Sequence, residues 1–113
     1  MRGIDTNLGG VVLGRGANFI LPRERCLRVR IVAPPEIRAD YLGRVLDLDA
    51  EQALQAVHQG DANRRAFIRH FFDEDIDEDT HYDLVLNMDL YTLDAAVMMV
   101  LQAWGAARQI WEE

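Results

Sequence analysis

Arginine is the residue type in this sequence that is best placed to do chemistry, and the first candidate is Arg15. It stands between Gly14 and Gly16, directly after the short apolar run Val11–Leu13. Two glycines allow positive φ and let a ligand approach the backbone closely. A guanidinium at such a turn can hold phosphate or carboxylate through paired hydrogen bonds. The pattern therefore predicts an anion site at the end of a strand, although an exposed loop arginine beside two turn glycines fits the same residues.

A second group of candidates follows further along the chain, where Asp61 precedes Arg64, Arg65 and Arg69. On a helix, residues three or four apart share a face, so Asp61 can contact Arg64 or Arg65. The functional interpretation is a carboxylate that orients phosphate-binding arginines, and the ordinary one is a surface ion pair. The acidic run Asp73–Asp79 lacks the glycine and glutamate that a calcium-binding EF-hand needs at its sixth and twelfth loop positions. We expect a solvated acidic loop there.

Composition excludes several classes of function. All twelve basic residues are arginine, so the sequence holds no lysine for a Walker A phosphate loop or a Schiff base. The net charge of −7 argues against a nucleic-acid partner. A single cysteine, Cys26, excludes an internal disulfide. Because there is neither a signal peptide nor an apolar run of about 20 residues, we expect a soluble, cytoplasmic single domain over residues 1–113, with no membrane partner.

The elements that would position these arginines alternate between strand and helix. Strands are predicted over Val11–Leu13, Cys26–Val32 and Tyr82–Asn87, and helical segments over Ala17–Leu21, Glu36–Leu46, Asp49–Gly60, Asp61–Phe72 and Leu93–Ile110. This alternation predicts an α/β fold with a parallel sheet of about three strands flanked by helices. In the second strand, Arg28 and Arg30 share a face that is either solvated or covered by acidic groups.

Three helix starts carry recognisable signals. Pro35 suits a first helical position, since its missing N–H costs nothing there. Asp49 followed three residues later by Gln52 resembles a capping box. Thr92 is a plausible N-cap for the last helix. Apolar residues wrap widely around that helix, so we expect the sheet to cover it well.

Four segments, in their order and spacing, carry a resemblance to a known family. They are Gly14–Leu21 (Gly-Arg-Gly-Ala-Asn-Phe-Ile-Leu), Arg28–Pro34, Asp61-x-x-Arg64 and Tyr82–Asn87. Together they resemble the C-terminal part of cytidylate kinase-like proteins, nucleoside monophosphate kinases of the P-loop class, over about residues 10–104. The resemblance implies a truncated form of that class's three-layer core, with a helical lid-like region at 36–80. It also implies ATP- and Mg²⁺-dependent phosphoryl transfer to CMP or a related monophosphate.

The resemblance also implies roles for individual residues. Arg15, with its neighbours Gly14 and Gly16, matches the turn that contacts the acceptor nucleotide. Arg64 matches a lid arginine that approaches the transferred phosphoryl group, and Asp61 would orient it. Weaker candidates for binding the substrate are Arg38, Arg65 and Arg69.

The sequence departs from the family in ways that limit this expectation. The Walker A segment and the first strand have no counterpart here, and Gly16 stands where related kinases carry aspartate. We therefore expect neither ATP nor Mg²⁺ to bind tightly to this chain alone. Without a central strand, Val11–Leu13 would pair directly with Val29–Val32, or the sheet would be completed by a second copy.

Three hypotheses about function remain open. The first is a partial cytidylate kinase-like protein that is inactive alone because it lacks a P-loop. The second is a non-catalytic, self-associating interaction or regulatory protein on the same scaffold. Trp104 and Trp111 fit either anchors of such a surface or packing of the helix end. The third is a small-molecule-binding α/β module of another family. Nucleotide binding favours the first, and oligomerisation without a nucleotide response favours the second.

Overall fold

The computed structural model describes Val11 and residues 16–112, and two parallel strands form its sheet. The strands β1 (Val29–Val32) and β2 (Leu84–Asn87) pair in register from Val29 opposite Leu84 to Val32 opposite Asn87. Three α-helices accompany them, α1 (Pro35–Leu46), α2 (Ala50–Phe72) and α3 (Leu93–Trp111). Single 3₁₀ turns lie at Ala17–Phe19, Arg23–Arg25 and Asp79–His81. The α/β character is confirmed, and α1 and α2 lie between the two parallel strands in the order of the chain.

The prediction of about three strands and a three-layer core is wrong for the described residues. They hold two strands, Val11 belongs to neither, and residues 12–15 lie outside the described part of the chain. The predicted pairing of Val11–Leu13 with β1 therefore lies outside it too. Both observed strands are shorter than predicted because the ladder begins at Arg28, whose carbonyl oxygen accepts from the Asp83 amide at 2.7 Å. The helices α1 and α2 pack chiefly on each other rather than as a layer on the sheet.

The helices α1 and α2 form an antiparallel hairpin whose ends follow the local signals. Pro35 occupies the first turn of α1, as predicted. The Asp49 side chain accepts from the Gln52 amide at 2.8 Å, and the Gln52 side chain accepts from the Asp49 amide at 3.2 Å. These two bonds confirm the capping box. From there α2 runs for 23 residues, straight through Gly60.

The apolar core of the hairpin lies between its two helices. Its buried members are Ala39, Ala53 and Val57, with Leu42, Leu48 and Leu54 packed around them. A Cβ atom at Gly43 would lie 3.2 Å from the Leu48 carbonyl oxygen, so glycine lets the connecting loop fold closely over α1. These small side chains let α1 and α2 approach each other and fix where the arginines on both helices meet.

The far end of α2 holds the segment around Gly16. This glycine has φ +70°, and a Cβ atom there would lie 2.3 Å from the Phe72 ring. Phe19 stacks on the same ring at a centroid distance of 5.2 Å, and Ile68 is buried beside it. The predicted short helix at Ala17–Leu21 is a single 3₁₀ turn. The described N-terminal segment is thus packed onto the C-terminal end of α2.

The helix α3 is much less covered than its apolar sequence predicts. Thr92 caps it as expected, since its hydroxyl accepts from the Ala95 amide at 3.1 Å. Ala96 is the buried residue of α3, and the helix contacts β2, which contains buried Leu86. Large apolar side chains on other sides of α3 are exposed, however, so the expectation of a well-covered helix is wrong. Among residues 11 and 16–112, no helix is both long and apolar enough to cross a membrane.

Candidate functional site

Arg38 joins three elements at the carboxyl end of β1. It lies on α1, and its Nε donates to the carbonyl oxygen of Ala33, the residue that follows β1, at 2.9 Å. Its Nη1 and Nη2 donate to the two carboxylate oxygens of Asp61 on α2, at 2.7 and 3.1 Å. This two-pronged geometry is the strong form of an arginine–carboxylate pair. Although the sequence ranks Arg38 as a weak candidate, its side chain is the central connection of the site.

Asp61 holds a second guanidinium, that of Arg64, three residues further along α2. The hydrogen bond from Arg38, above all, together with the bond from Arg64, lowers the pKa of Asp61 to about 2 against its ordinary 3.8. The carboxylate is therefore ionised at neutral pH. The same carboxylate raises the pKa of Arg38, chiefly through its hydrogen bond. The predicted Asp61–Arg64 contact is present, and Asp61 orients both arginines at once.

A second carboxylate, Asp77, bridges two more arginines on the neighbouring part of α2 and on β1. Arg30 Nη2 donates to Asp77 at 2.8 Å, and Arg65 Nε donates to its other oxygen at 3.1 Å. These hydrogen bonds, that of Arg30 first, lower the pKa of Asp77. Because Asp61 and Arg65 are four residues apart, the two bridged pairs lie on one side of α2. The acidic run is therefore tied to the helix rather than simply solvated.

Arg30 also contacts the backbone of the loop that carries Asp77. Its Nη1 donates to the Ile76 carbonyl oxygen at 3.2 Å, and the Tyr82 hydroxyl donates to the same oxygen at 2.7 Å. The Arg30 guanidinium lies 5.5 Å from the centroid of the Tyr82 ring, within cation–π range. Burial raises the pKa of the Tyr82 hydroxyl, so it stays a neutral donor. This loop is held by both its backbone and its side chains.

The structure brings some of the predicted site residues together and separates others. Arg38, Asp61 and Arg64 meet in one cluster, whereas Arg65 contacts Asp77 instead of Asp61. Arg69 pairs with Asp73 one turn further along the chain, at 3.5 Å. Gly14 and Arg15 lie outside the described residues. Gly16 is described, and its neighbours there are the side chains of Phe72 and Ile68.

Arg30 and Asp77 are the site residues that the sequence did not identify. The alternation of β1 placed Arg30 on a face that was either solvated or covered by acidic groups, and the second alternative is the one observed. Arg28, on the same face, forms the corresponding pair with Asp83 at 3.0 Å and is 9% exposed. The signal for these pairs was therefore present in the strand, but their partners lie 47 and 55 residues away.

The arrangement presents guanidinium donors of the kind that bind an anion. Four guanidiniums and two carboxylates give these six side chains a net charge of +2, or +1 if Glu36 beside Arg38 is included. Arg64 is 61% exposed and so remains accessible to a ligand. No group of three or more histidine, cysteine or acidic side chains is arranged to hold a metal within the described part of the chain. Asp61 and Asp77 are each engaged by two arginines.

Residues 3–90 match the profile of the cytidylate kinase-like family. The chain belongs to this family. The match spans the arginine site, β1, β2 and the hairpin, and it confirms the resemblance carried by the four segments. No sequence among curated proteins matches the chain.

The fold of this family member is also similar to a solved one. A crystal structure of an uncharacterized protein from Eubacterium ventriosum superposes with a TM-score of 0.63 at 14% sequence identity. The similarity covers 67% of this chain and 42% of that protein, so the present chain spans less than half the length of its structural neighbour. At this identity the similarity shows a shared fold and not a shared activity.

Proposed function

We propose that this chain binds a nucleoside monophosphate, CMP or a related one, through its arginines, and that it transfers no phosphoryl group by itself. Membership of the cytidylate kinase-like family supports the substrate class. The cluster of Arg38, Asp61 and Arg64 supports the means of binding, because it concentrates positive charge in a chain whose net charge is −7. This cluster is the observation that carries the proposal.

Pre-organisation is the physical reason why such a cluster suits a phosphate group. A free arginine side chain loses conformational freedom when it binds, whereas Arg38 and Arg64 are already held by Asp61. A guanidinium has five N–H donors in a rigid fork, so a carboxylate partner does not exhaust its capacity. The exposed Arg64 would therefore contact the phosphate, and the less exposed Arg38 would fix the position of Asp61. Arg15 would add the contact to the acceptor nucleotide that the family resemblance implies.

Binding without transfer follows from the residue types in the sequence. In P-loop kinases a glycine-rich loop and its lysine cradle the phosphates of the donor nucleotide. This sequence contains no lysine, so it does not supply that residue for the donor phosphates. ATP and Mg²⁺ are therefore not among the ligands that we propose for the chain alone.

Calorimetric titration of CMP and of ATP, separately and at low salt, tests the proposal. We expect heat with CMP, weakened at least tenfold in affinity by Arg64→Ala or Arg15→Ala. Arg44→Ala is the matched control, because Arg44 is also an exposed helical arginine with a single carboxylate partner on its own helix. Absence of heat with both nucleotides would reject the proposal. Equal effects of Arg64→Ala and Arg44→Ala would reject the assignment of the site.

The alternative function, a non-catalytic self-associating protein, has one observation in its favour. Leu93, Val97, Leu101 and Trp104 of α3 are large apolar side chains that are all at least 40% exposed. Exposed apolar patches of this kind mark interaction surfaces. A stable oligomer that shows no response to CMP would favour this function over nucleotide binding.

A further inference from the structure

Four of the exposed apolar side chains of α3 form a straight stripe along one side of the helix. Leu93, Val97, Leu101 and Trp104 follow one another at intervals of four, four and three residues. At about 100° per residue, this spacing keeps the four side chains within about 80° of one another around the helix axis. Ala96, the buried residue of α3, lies on a different side of the helix at the same 100° per residue. The stripe thus has the spacing of a helix-pairing seam, on a face that the rest of the described chain leaves exposed.

From this geometry we infer that α3 pairs with the α3 helix of a second copy of the chain, in antiparallel orientation about Leu101. Charged residues at the two ends of the stripe select this orientation. Asp94 lies seven residues before Leu101, and Arg108 lies seven residues after it. An antiparallel pair centred on Leu101 places each Asp94 opposite the partner subunit's Arg108. A parallel pair would place like charges opposite each other at both ends, which is unfavourable.

The existing contacts of Asp94 and Arg108 leave both side chains able to pair with a second copy. Asp94 has no side-chain hydrogen bond or ion pair within residues 11 and 16–112. Arg108 contacts its own Glu112 at 3.2 Å, but both side chains are more than half exposed. Exposed pairs of this type contribute little free energy. Turning Arg108 toward a second copy therefore costs little.

Gly105 provides room for the two helices to approach. A Cβ atom at Gly105 would meet no atom within 4 Å, so the space beside it is open. In the antiparallel pair, Val97 of one copy lies opposite Gly105 of the other, because both are four residues from Leu101. A branched side chain opposite a glycine lets helix axes come close together. The pair is isologous, so every contact occurs twice. It does not depend on nucleotide binding.

The oligomeric state of the full chain, measured by sedimentation velocity without nucleotide over a series of concentrations, tests the inference. We expect a concentration-dependent dimer that Leu101→Glu abolishes. Ile110→Glu is the matched control: Ile110 is 69% exposed against 61% for Leu101, and nine residues place it on the opposite side of α3. We expect this control to remain dimeric. A monomeric wild-type chain, or a dimer that survives Leu101→Glu, would overturn the inference.

Cysteine cross-linking tests the orientation, in a background where Cys26 is replaced by alanine. In the antiparallel pair, Leu101→Cys places two thiols at the two-fold axis, and oxidation should link them. Leu93→Cys places the two thiols about 24 Å apart, at 1.5 Å per residue, so no link should form. Links at both positions would show a parallel pair and overturn the inference.

A charge exchange adds an independent check: Asp94→Arg or Arg108→Asp alone should weaken the dimer, and the two together should restore it.

Discussion

Two regions of the molecule satisfy their side chains in opposite ways. The first is built from β1, α1, α2 and the segments that contact them, and the second is the C-terminal helix α3. In the first part, ion pairs cross from one element to another: Arg28 to Asp83, Arg38 to Asp61, and Arg30 and Arg65 to Asp77. In α3, Arg108 pairs within its own helix, and the apolar stripe is exposed. The first part pairs its charged side chains between its own segments, whereas α3 leaves apolar side chains exposed.

This contrast fits the two kinds of function that we propose for the chain. A binding site for a small anion must have its donors already in place, and Asp61 and Asp77 hold four arginines in place. An interface instead gains free energy by burying apolar surface on association. The difference can be measured, because cross-element pairs should contribute to the stability of the monomer and the stripe should not.

Removing the Arg28 side chain should have the largest effect on stability. Arg28 is 9% exposed and donates to both oxygens of Asp83, so Arg28→Ala leaves a partly buried carboxylate without its partner. We expect a loss of about 2–3 kcal/mol in the free energy of unfolding. Arg44→Ala, which breaks an exposed pair within α1, should cost under about 0.5 kcal/mol. Equal losses in urea unfolding would contradict the distinction between crossing and local pairs.

The second largest effect should come from Gly16→Ala. The new Cβ atom would lie 2.3 Å from the Phe72 ring, and the residue would keep a φ of +70° that alanine disfavours. We expect about 2 kcal/mol of destabilisation from overpacking and backbone strain. Gly105→Ala in α3 is the matched control, since its Cβ atom meets nothing and helix propensity favours alanine by about 1 kcal/mol. Thermal melts in dilute solution should therefore shift in opposite directions, and a shift in the same direction would contradict the packing argument.

The acid limb of stability tests the Arg38–Asp61 pair. The pKa of Asp61 is about 2 in the folded chain, below its ordinary 3.8. The ionised carboxylate therefore contributes fully to stability above about pH 3.8, and this contribution is lost as the pH falls toward about 2. With allowance for partial exposure, we expect Asp61→Asn to cost about 1–2 kcal/mol near neutral pH. The difference from wild type should vanish between about pH 4 and pH 2. A difference that stayed constant over this range would show that the charge of Asp61 is not what stabilises the chain.

Local signals in the sequence predicted much of the helical structure. Pro35, the capping box of Asp49 and Gln52, and Thr92 depend on neighbours within three residues, and all three starts are observed. From the second predicted strand onward, the order strand, helices, strand, helix was also correct, and the family resemblance was confirmed. Such features follow from short-range hydrogen bonds and periodicity, which a single sequence displays directly.

Contacts between distant segments could not be predicted in the same way. Arg38 and Asp61 are 23 residues apart, and no local rule selects Asp61 as the partner of Arg38. Periodicity likewise showed that α3 is apolar on most sides but not which sides the sheet would cover. The sheet is therefore where the prediction was wrong, and the ion-pair network is where it was incomplete.

The smallest effect on the isolated chain, and the sharpest test of the contrast, is expected on α3. Leu101→Gln removes an exposed apolar side chain, so the free energy of unfolding in dilute solution should change by under about 0.5 kcal/mol. If copies pair through the stripe, the melting temperature of the wild type rises with concentration, because association stabilises the folded state. Leu101→Gln should remove this rise, and Ile110→Gln should retain it. A wild-type melting temperature that does not depend on concentration would mean that α3 contributes to the fold alone.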